Sequence, residues 1–441
     1  MGSYLSQTIE DRREMLESLG LTGIDELFSQ IPAEVIHNKL DIPPGLSEIE
    51  LINKFSLIAG ENRIFSHIFR GAGAYNHYIP AAVKRIVSNE TFITAYTPYQ
   101  SEISQGILQS IFEYQSMIAM LTGMDVSNAS VYDAGSAAAE AMNMCRERGR
   151  DLVLVSAAAH PDVIETIKTY CFGYGIPMEL IPLANDGRTC KESLKKVLSE
   201  KGNITAGLYI QSPNYCGLIE DLPYFSEALH REGAYLTAGV NPISLGILEA
   251  PGNLGADIAV GEGQPLGMPL AFGGPYLGFM ACKSTLMRKL PGRIIGETVD
   301  QKGERAFVLT LQAREQHIRR EKASSNICSN QAHCALTAAV YMSVMGEEGF
   351  TEASRQCHAK AVYAAKKISE IPGFSLAYNG EFFNEFVTHC PNTENTLKKL
   401  EEHGILGGLP LPDNRILWCV TEVNTKEDID LLVNVLSGGV K

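Results

Sequence analysis

The sequence predicts an α/β protein with a mostly parallel sheet in a large domain and a smaller α/β domain after it. Three observations carry this. From about Gln109 to Val260, short apolar runs of strand length alternate with stretches of helical periodicity, the pattern of a parallel sheet covered on both faces. After about Glu321 long helical stretches dominate, with two strand-like runs between them. Before about Ile58 the chain reads as punctuated helix. The expected divisions are 1–60, an N-terminal helical segment; 61–320, the large domain; and 321–441, the small C-terminal domain.

Taken in order, Thr8 to Gly20 has apolar residues at helical spacing and ends on a glycine suited to a C-cap. Ile42-Pro43-Pro44-Gly45 breaks the chain, and a second helix, Leu46 to Ala59, starts near Ser47 with Glu50 placed for a capping box. Helices are then expected over Gln109–Thr122, Ala137–Gly149, Asp162–Tyr170, Lys191–Glu200 and Phe225–Glu232. Strands are expected over Asp151–Val155, Met178–Ile181, Gly207–Gln211, Tyr235–Ala238 and Ile258–Val260. The C-terminal part offers helices at Gln331–Met345, Thr351–Glu370, Asn395–His403 and Lys426–Leu436, with strands at Glu385–His389 and Ile416–Thr421.

A hydrophobic share of 45% with 20% charged residues over 441 positions is enough to bury a large core. The formal net charge of -14 argues against a nucleic-acid face, which needs clustered Lys and Arg. The ten cysteines are scattered singly, which fits reduced thiols rather than a disulfide framework or a zinc site. Met1 to Glu17 is polar and lacks the apolar core of a signal peptide, and no apolar run approaches membrane-helix length. A cytoplasmic protein, with neither a membrane nor a nucleic-acid partner, is expected. No complete Gly-x-Gly-x-x-Gly, Gly-Lys pair or His-Glu-x-x-His occurs, and Ser136 misses a nucleophile elbow by one glycine.

What remains is a set of landmarks. Tyr132 to Glu140 is a small-residue turn running into a helix, where Gly135 and Ser136 sit as backbone N–H groups would to meet an anion. A strand ends in Thr237-Ala238-Gly239-Val240-Asn241-Pro242, and Gly261-Glu262-Gly263-Gln264-Pro265 and Gly273-Gly274-Pro275 follow. Their order resembles the pyridoxal-phosphate (PLP) aminotransferase fold, fold type I. There a carboxylate after one strand pairs with the pyridinium nitrogen, and a lysine about two dozen positions later forms the Schiff base. Asn241 stands at the carboxylate position and Gln264 at the lysine position, and no lysine occurs between Lys201 and Lys283. An amide forms no imine. Lys283, past the glycine turn, is expected at the surface. His160 resembles the place where this fold stacks an aromatic ring on the cofactor.

The strings Ala74-Tyr75-Asn76-His77-Tyr78-Ile79-Pro80, Thr94-Ala95-Tyr96-Thr97-Pro98-Tyr99-Gln100 with Ser101 to Gly106, and Arg314-Glu315-Gln316-His317-Ile318-Arg319-Arg320-Glu321 resemble the P-protein family of the glycine cleavage system, glycine decarboxylase. The resemblance covers nearly the whole chain and is closest to the N-terminal half, the alpha subunit of the two-subunit type. It implies a subunit that anchors no cofactor covalently and pairs with a beta subunit carrying PLP, in an alpha2beta2 heterotetramer. The pair would decarboxylate glycine and pass the aminomethyl group to the lipoyl arm of H-protein. On that reading Tyr96, Tyr99, Gln100, Ser101, Glu102, Arg314 and His317 are candidates for the interface and active-site wall. Gly135, Ser136 and His160 would be a vestigial cofactor pocket. A packed subunit contact for the tyrosines and a salt-bridged helical face for Arg314 to Glu321 are the simpler alternatives. Two other functions stay open: a self-sufficient PLP enzyme using another lysine, and a ligand-binding regulatory pseudoenzyme.

Overall fold

The computed structural model describes residues 7–36, 41–94, 97–327 and 329–439. They form two compact units, Met1–Ile64 and Phe65–Lys441. In the first, α1 (Ile9–Ser18) is capped by Thr8, which exchanges hydrogen bonds with Asp11. Helix α2 (Glu48–Gly60) opens on the predicted Ser47–Glu50 capping box. No residue of either helix is buried.

The second unit is built on a seven-stranded sheet. Its strands are β1 (Val126–Ser127), β2 (Leu152–Ser156), β3 (Met178–Ile181), β4 (Thr205–Gln211), β5 (Tyr235–Val240), β6 (Ile258–Glu262) and β7 (Gly278–Cys282), in the order β1-β7-β6-β5-β4-β2-β3. Strands β2 to β6 run parallel; β7 is antiparallel to β6 and to β1. Period-2 alternation sends Leu152 and Leu154 into one core and Val153 and Val155 into the other. On the first face lie α3 (Gln105–Thr122), α6 (Lys191–Lys201) and α7 (Leu222–Arg231), with the start of a long helix described below. On the second lie α4 (Ala134–Met144) and α5 (Pro161–Tyr174). Two helix limits show their chemistry. Helix α5 begins with Pro161, whose missing N–H is harmless in a first turn, and ends at Gly175 with φ +66°.

Periodicity missed β7, which is buried throughout and carries no alternation, and the hairpin of β8 (Ile295–Val299) with β9 (Arg305–Leu309). It also read Gln331–Met345 and Thr351–Glu370 as separate helices. The structure agrees: within Ala332–Ser369, here α8, two helical halves meet at a kink at Gly346, where φ is 60° and ψ -178°. The first half of α8 packs on the large sheet through Ala335, Ala338 and Tyr341. The second half packs Ala361, Ala364 and Ile368 against a four-stranded antiparallel sheet. That sheet has β10 (Ser375–Leu376), β11 (Glu385–His389), β12 (Leu409–Leu411) and β13 (Arg415–Cys419) in the order β10-β11-β13-β12, with α9 (Thr393–Glu402) and α10 (Lys426–Ser437) completing its core. Trp418 is fully buried there, and its indole N–H donates to Thr388 Oγ1 at 2.8 Å.

Gly346 is a place where only backbone freedom is at stake, because a Cβ there would meet nothing within 4 Å. Gly346→Ala is expected to cost about 1–3 kcal/mol, the strain of a backbone region reserved for glycine. A lowered denaturation midpoint would show it; an unchanged midpoint would mean that α8 straightens at no cost.

Candidate functional site

A cavity of about 400 Å³ lies at the carboxyl ends of β4, β5 and β6, where ligands bind in open α/β sheets. Gln211, Asn241 and Glu262 come from those ends, Asp133 to Gly135 and His160 from the starts of α4 and α5, and Ala72 to Tyr75 cross as a strap. Three sequence-predicted positions, Gly135, His160 and Asn241, are thus brought together.

The anion position is already met from within. At the N-terminus of α4, Asp133 Oδ1 accepts from Ser136 N at 2.7 Å and Glu262 Oε2 accepts from Ala134 N at 3.2 Å. Those N–H groups are the ones a phosphate would use at a helix start. The other oxygen of Glu262 accepts from Gln264 N (3.0 Å) and Leu277 N (2.8 Å). Burial pushes the Glu262 carboxyl up to about 7, against the pull of those three N–H groups. Gly135 is small for packing: a Cβ there would come within 2.9 Å of Thr166 Oγ1.

Gln264 is 1% exposed. Its Oε1 accepts from Tyr75 N at 2.9 Å, and its Nε2 donates to Tyr75 O at 2.9 Å and Met268 O at 2.8 Å. The amide therefore satisfies both backbone groups of one strap residue and a third carbonyl. From the other side Glu385 holds the same strap, accepting from Ala72 N at 2.6 Å and from Tyr75 Oη at 2.8 Å. Burial raises the Glu385 carboxyl to about 7 as well. Asn241 Oδ1 accepts from Ile243 N at 3.0 Å and starts a 3-10 turn. His160 Nδ1 accepts from Asp162 N at 3.2 Å, so Nε2 carries the proton and donates to Ala72 O at 3.0 Å. The imidazole stands edge-on to Tyr215.

These residues do not fit a covalently held PLP. Gln264 is a fully engaged amide, Asn241 caps a turn, and the N–H groups at the start of α4 are met by two internal carboxylates. No lysine lines the cavity. Lys283 is not the surface residue expected, because it is half-buried and donates to Gly123 O at 3.0 Å.

The second set of candidates lies elsewhere, since none of Tyr99, Arg314 and His317 lines the cavity. Tyr96 falls outside the described residues. Tyr99 is half-buried, its hydroxyl bonded to Asn330 Oδ1, while Gln100 and Glu102 are exposed and Ser101 is half-exposed. The expected single helix over Arg314 to Glu321 is not formed. The chain makes three short turns, Gln312–Arg314, Gln316–Arg319 and Arg320–Lys322, broken at Arg320 with φ 53°. Of its charges only Glu315 and His317 make ion pairs among the described residues, Glu315 with Arg293 and His317 with Glu315 at 3.7 Å. Arg293 also stacks its guanidinium over the Tyr99 ring, 5.0 Å from the centroid, and so links the two candidate segments. Arg314 donates to Gly292 O at 2.7 Å. Sequence reasoning missed Arg293, Glu262 and Glu385. A carboxylate between two glycines marked Glu262; nothing local marked the other two.

Fold and site together define an α/β protein of PLP fold type I. An alanine–glyoxylate aminotransferase from Nostoc sp. shares the fold, with a TM-score of 0.61 at 16% identity over 92% of this chain and all of that one. The match to one family is far closer. The model of the glycine cleavage system P-protein family matches residues 2–436. A crystal structure of inhibitor-bound glycine decarboxylase (P-protein) of the glycine cleavage system superposes with a TM-score of 0.92, 40% identical over 100% of both chains. A probable glycine dehydrogenase (decarboxylating) subunit 1 from Desulforamulus reducens is 50% identical over 440 residues, 97% of this chain and 98% of that protein. The chain belongs to the glycine cleavage system P-protein family.

Two outcomes test this site. Gln264→Ala strands three buried backbone groups and is expected to lose about 2–4 kcal/mol of stability in denaturant titrations; Gln264→Lys, equally unable to bridge Tyr75, should destabilise too and trap no PLP on borohydride reduction. For pH, a carboxyl raised when folded favours its protonated form there. The stability from Glu385 is therefore complete below its ordinary value of 4.5 and is lost as pH climbs through about 7. Glu385→Gln keeps an acceptor for Ala72 N, reverses the other contact so that its Nε2 donates to Tyr75 Oη, and removes the charge. Its melting temperature should gain on the parent's between about pH 5 and pH 8; parallel pH profiles would contradict the assignment.

Proposed function

We propose that this chain is the subunit 1 of a two-part glycine dehydrogenase (decarboxylating): it carries no cofactor anchor and completes an active site whose PLP sits on a partner subunit. The observation that carries the reading is Gln264. At the place assigned to the Schiff-base lysine, in a chain whose residues 2–436 match the family, the side chain is buried and bonded to Tyr75 and Met268. PLP bound to the partner would supply the electron sink for loss of CO2 from glycine, and a lipoyl-bearing H-protein would take the aminomethyl group. This chain's part is positional. Gln264 and Glu385 hold the strap 72–75, and Arg293 holds the 97–102 segment against Glu315.

Tyr99, Gln100, Ser101 and Glu102 are the proposed wall facing the partner, with Arg314 and His317 behind them. Two features favour a partner. The relatives at 50% and 47% identity, from Desulforamulus reducens and Moorella thermoacetica, are named subunit 1. Helix α2 leaves Ile49, Ile52, Phe55 and Leu57 exposed at 57% or more, an apolar surface suited to burial against another chain. An alpha2beta2 assembly in the cytoplasm is the arrangement proposed. No described helix is long and apolar enough to cross a membrane.

The test is glycine–bicarbonate carbon exchange by the co-expressed pair, with and without this chain. Exchange should require both subunits, and borohydride reduction should fix PLP to the partner. A labelled lysine in this chain, or equal exchange without it, would overturn the proposal. Glu102→Ala should lower exchange by about tenfold or more without changing the melting temperature, the loss typical of one positioned polar group; unchanged exchange removes Glu102 from the wall.

A further inference from the structure

Apart from the cavity above, a second depression of about 480 Å³ gathers an unusual charge for a chain of net -14. Six cations line it: Arg146, Arg288, Lys289, Arg314, Arg319 and Lys322. They come from the end of α4, the turn Ser284–Lys289, and the three short turns Gln312–Arg314, Gln316–Arg319 and Arg320–Lys322. The one carboxylate among the lining residues is Glu140, 2% exposed and accepting from Ser325 Oγ at 2.8 Å.

Two of the six cations are balanced at the rim, Arg146 by Asp151 at 3.0 Å and Lys289 by Glu147 at 3.2 Å. The other four make no ion pair among the described residues. Arg319 spends Nε on the Ala313 carbonyl, and Arg314 spends one terminal nitrogen on Gly292 O. The Nε of Arg314 is buried with no hydrogen-bond partner, and burial holds its guanidinium below its ordinary value. Four unneutralised like charges converging on one concavity repel each other, and an orphaned buried donor adds a desolvation cost. An anion seated among them relieves both.

We propose that this depression binds a small molecule carrying a diphosphate or polyphosphate group, at a site separate from the cavity described above. Arginine forks match phosphate oxygens in pairs, and the volume lies in the range of small-molecule sites and exceeds what one phosphate fills. Tyr174, over whose ring Arg146 lies at 5.8 Å, supplies an aromatic wall beside the cations for an organic part of the ligand. A concave site with a half-buried arginine, its Nε out of solvent reach, favours a small anion over the flat acidic face of another protein. The inference does not rest on the proposed role in glycine decarboxylation.

Calorimetric titration of the full chain, alone and co-expressed with its partner subunit, tests it with inorganic pyrophosphate and adenosine diphosphate as probes. Saturable binding of one equivalent per chain, weakening as salt rises, is expected in both preparations. Arg288→Ala and Lys322→Ala should each weaken it by about tenfold, the worth of one charge-assisted hydrogen bond. Arg319→Lys keeps the charge, loses the fork and should weaken it less than Arg319→Ala. Lys195→Ala, on exposed α6, controls for a general charge effect and should leave binding unchanged. Tighter binding of the nucleotide, abolished by Tyr174→Ala, would place the organic part on the tyrosine; equal binding of both probes would rest recognition on the phosphates alone. No heat with either probe up to about 1 mM, affinity unchanged in the folded variants, or saturation by poly-glutamate but not by pyrophosphate would overturn the proposal.

Discussion

The structure depends on one amide. Gln264 reaches a single residue of the strap, Tyr75, and satisfies its N–H and its carbonyl together, while a third bond ties it to Met268. A lysine amine is a donor only and cannot do this. The side chain thus holds the backbone in place, and the strap so held forms a wall of the cavity. Glu385, from the antiparallel sheet, grips the same strap through Ala72 and Tyr75 and so couples the two sheets across it.

Electrostatics repeats the theme. In an aminotransferase-type fold the start of the helix after the first landmark is a ready anion site. Here Asp133 and Glu262 occupy its N–H groups, so the chain supplies its own negative charge. Glu262 is also bonded to Gln264 N and Leu277 N, which makes the start of α4 and Gln264 parts of one network. The carboxyls of Glu262 and Glu385 both sit near 7 because burial outweighs their hydrogen bonds. A site built in this way is rigid through polar satisfaction, and each member is costly to remove.

Much of this was readable in the residues. The five parallel strands were each located within a few positions, because buried strands announce themselves as short apolar runs between helices. Asn241 and Gln264 were singled out from the sequence, and the structure places Asn241 at the cavity and Gln264 under its strap. The Arg314 to Glu321 string was misread as one helix. Its charges suggested helical pairing, but Arg320 adopts a positive φ and the segment breaks into turns held by Gly292 O, Ala313 O and Arg293. The boundary between the two predicted helices of α8 was placed correctly, at the non-helical Gly346.

By itself the sequence determined the fold class and the family. Each follows from the order of residue types along the chain, and alternation, capping and motif spacing are local. What Gln264 does was decided by tertiary structure alone. Tyr75 is 189 positions from Gln264, and Glu385 is 310 from Tyr75. No local pattern encodes a bond between such partners; only the packing of the strap between two sheets brings them within 3 Å. The same holds for the cationic depression. Its charges lie scattered over three stretches of an acidic sequence and become one site only where the turns after β9 fold back beside the end of α4.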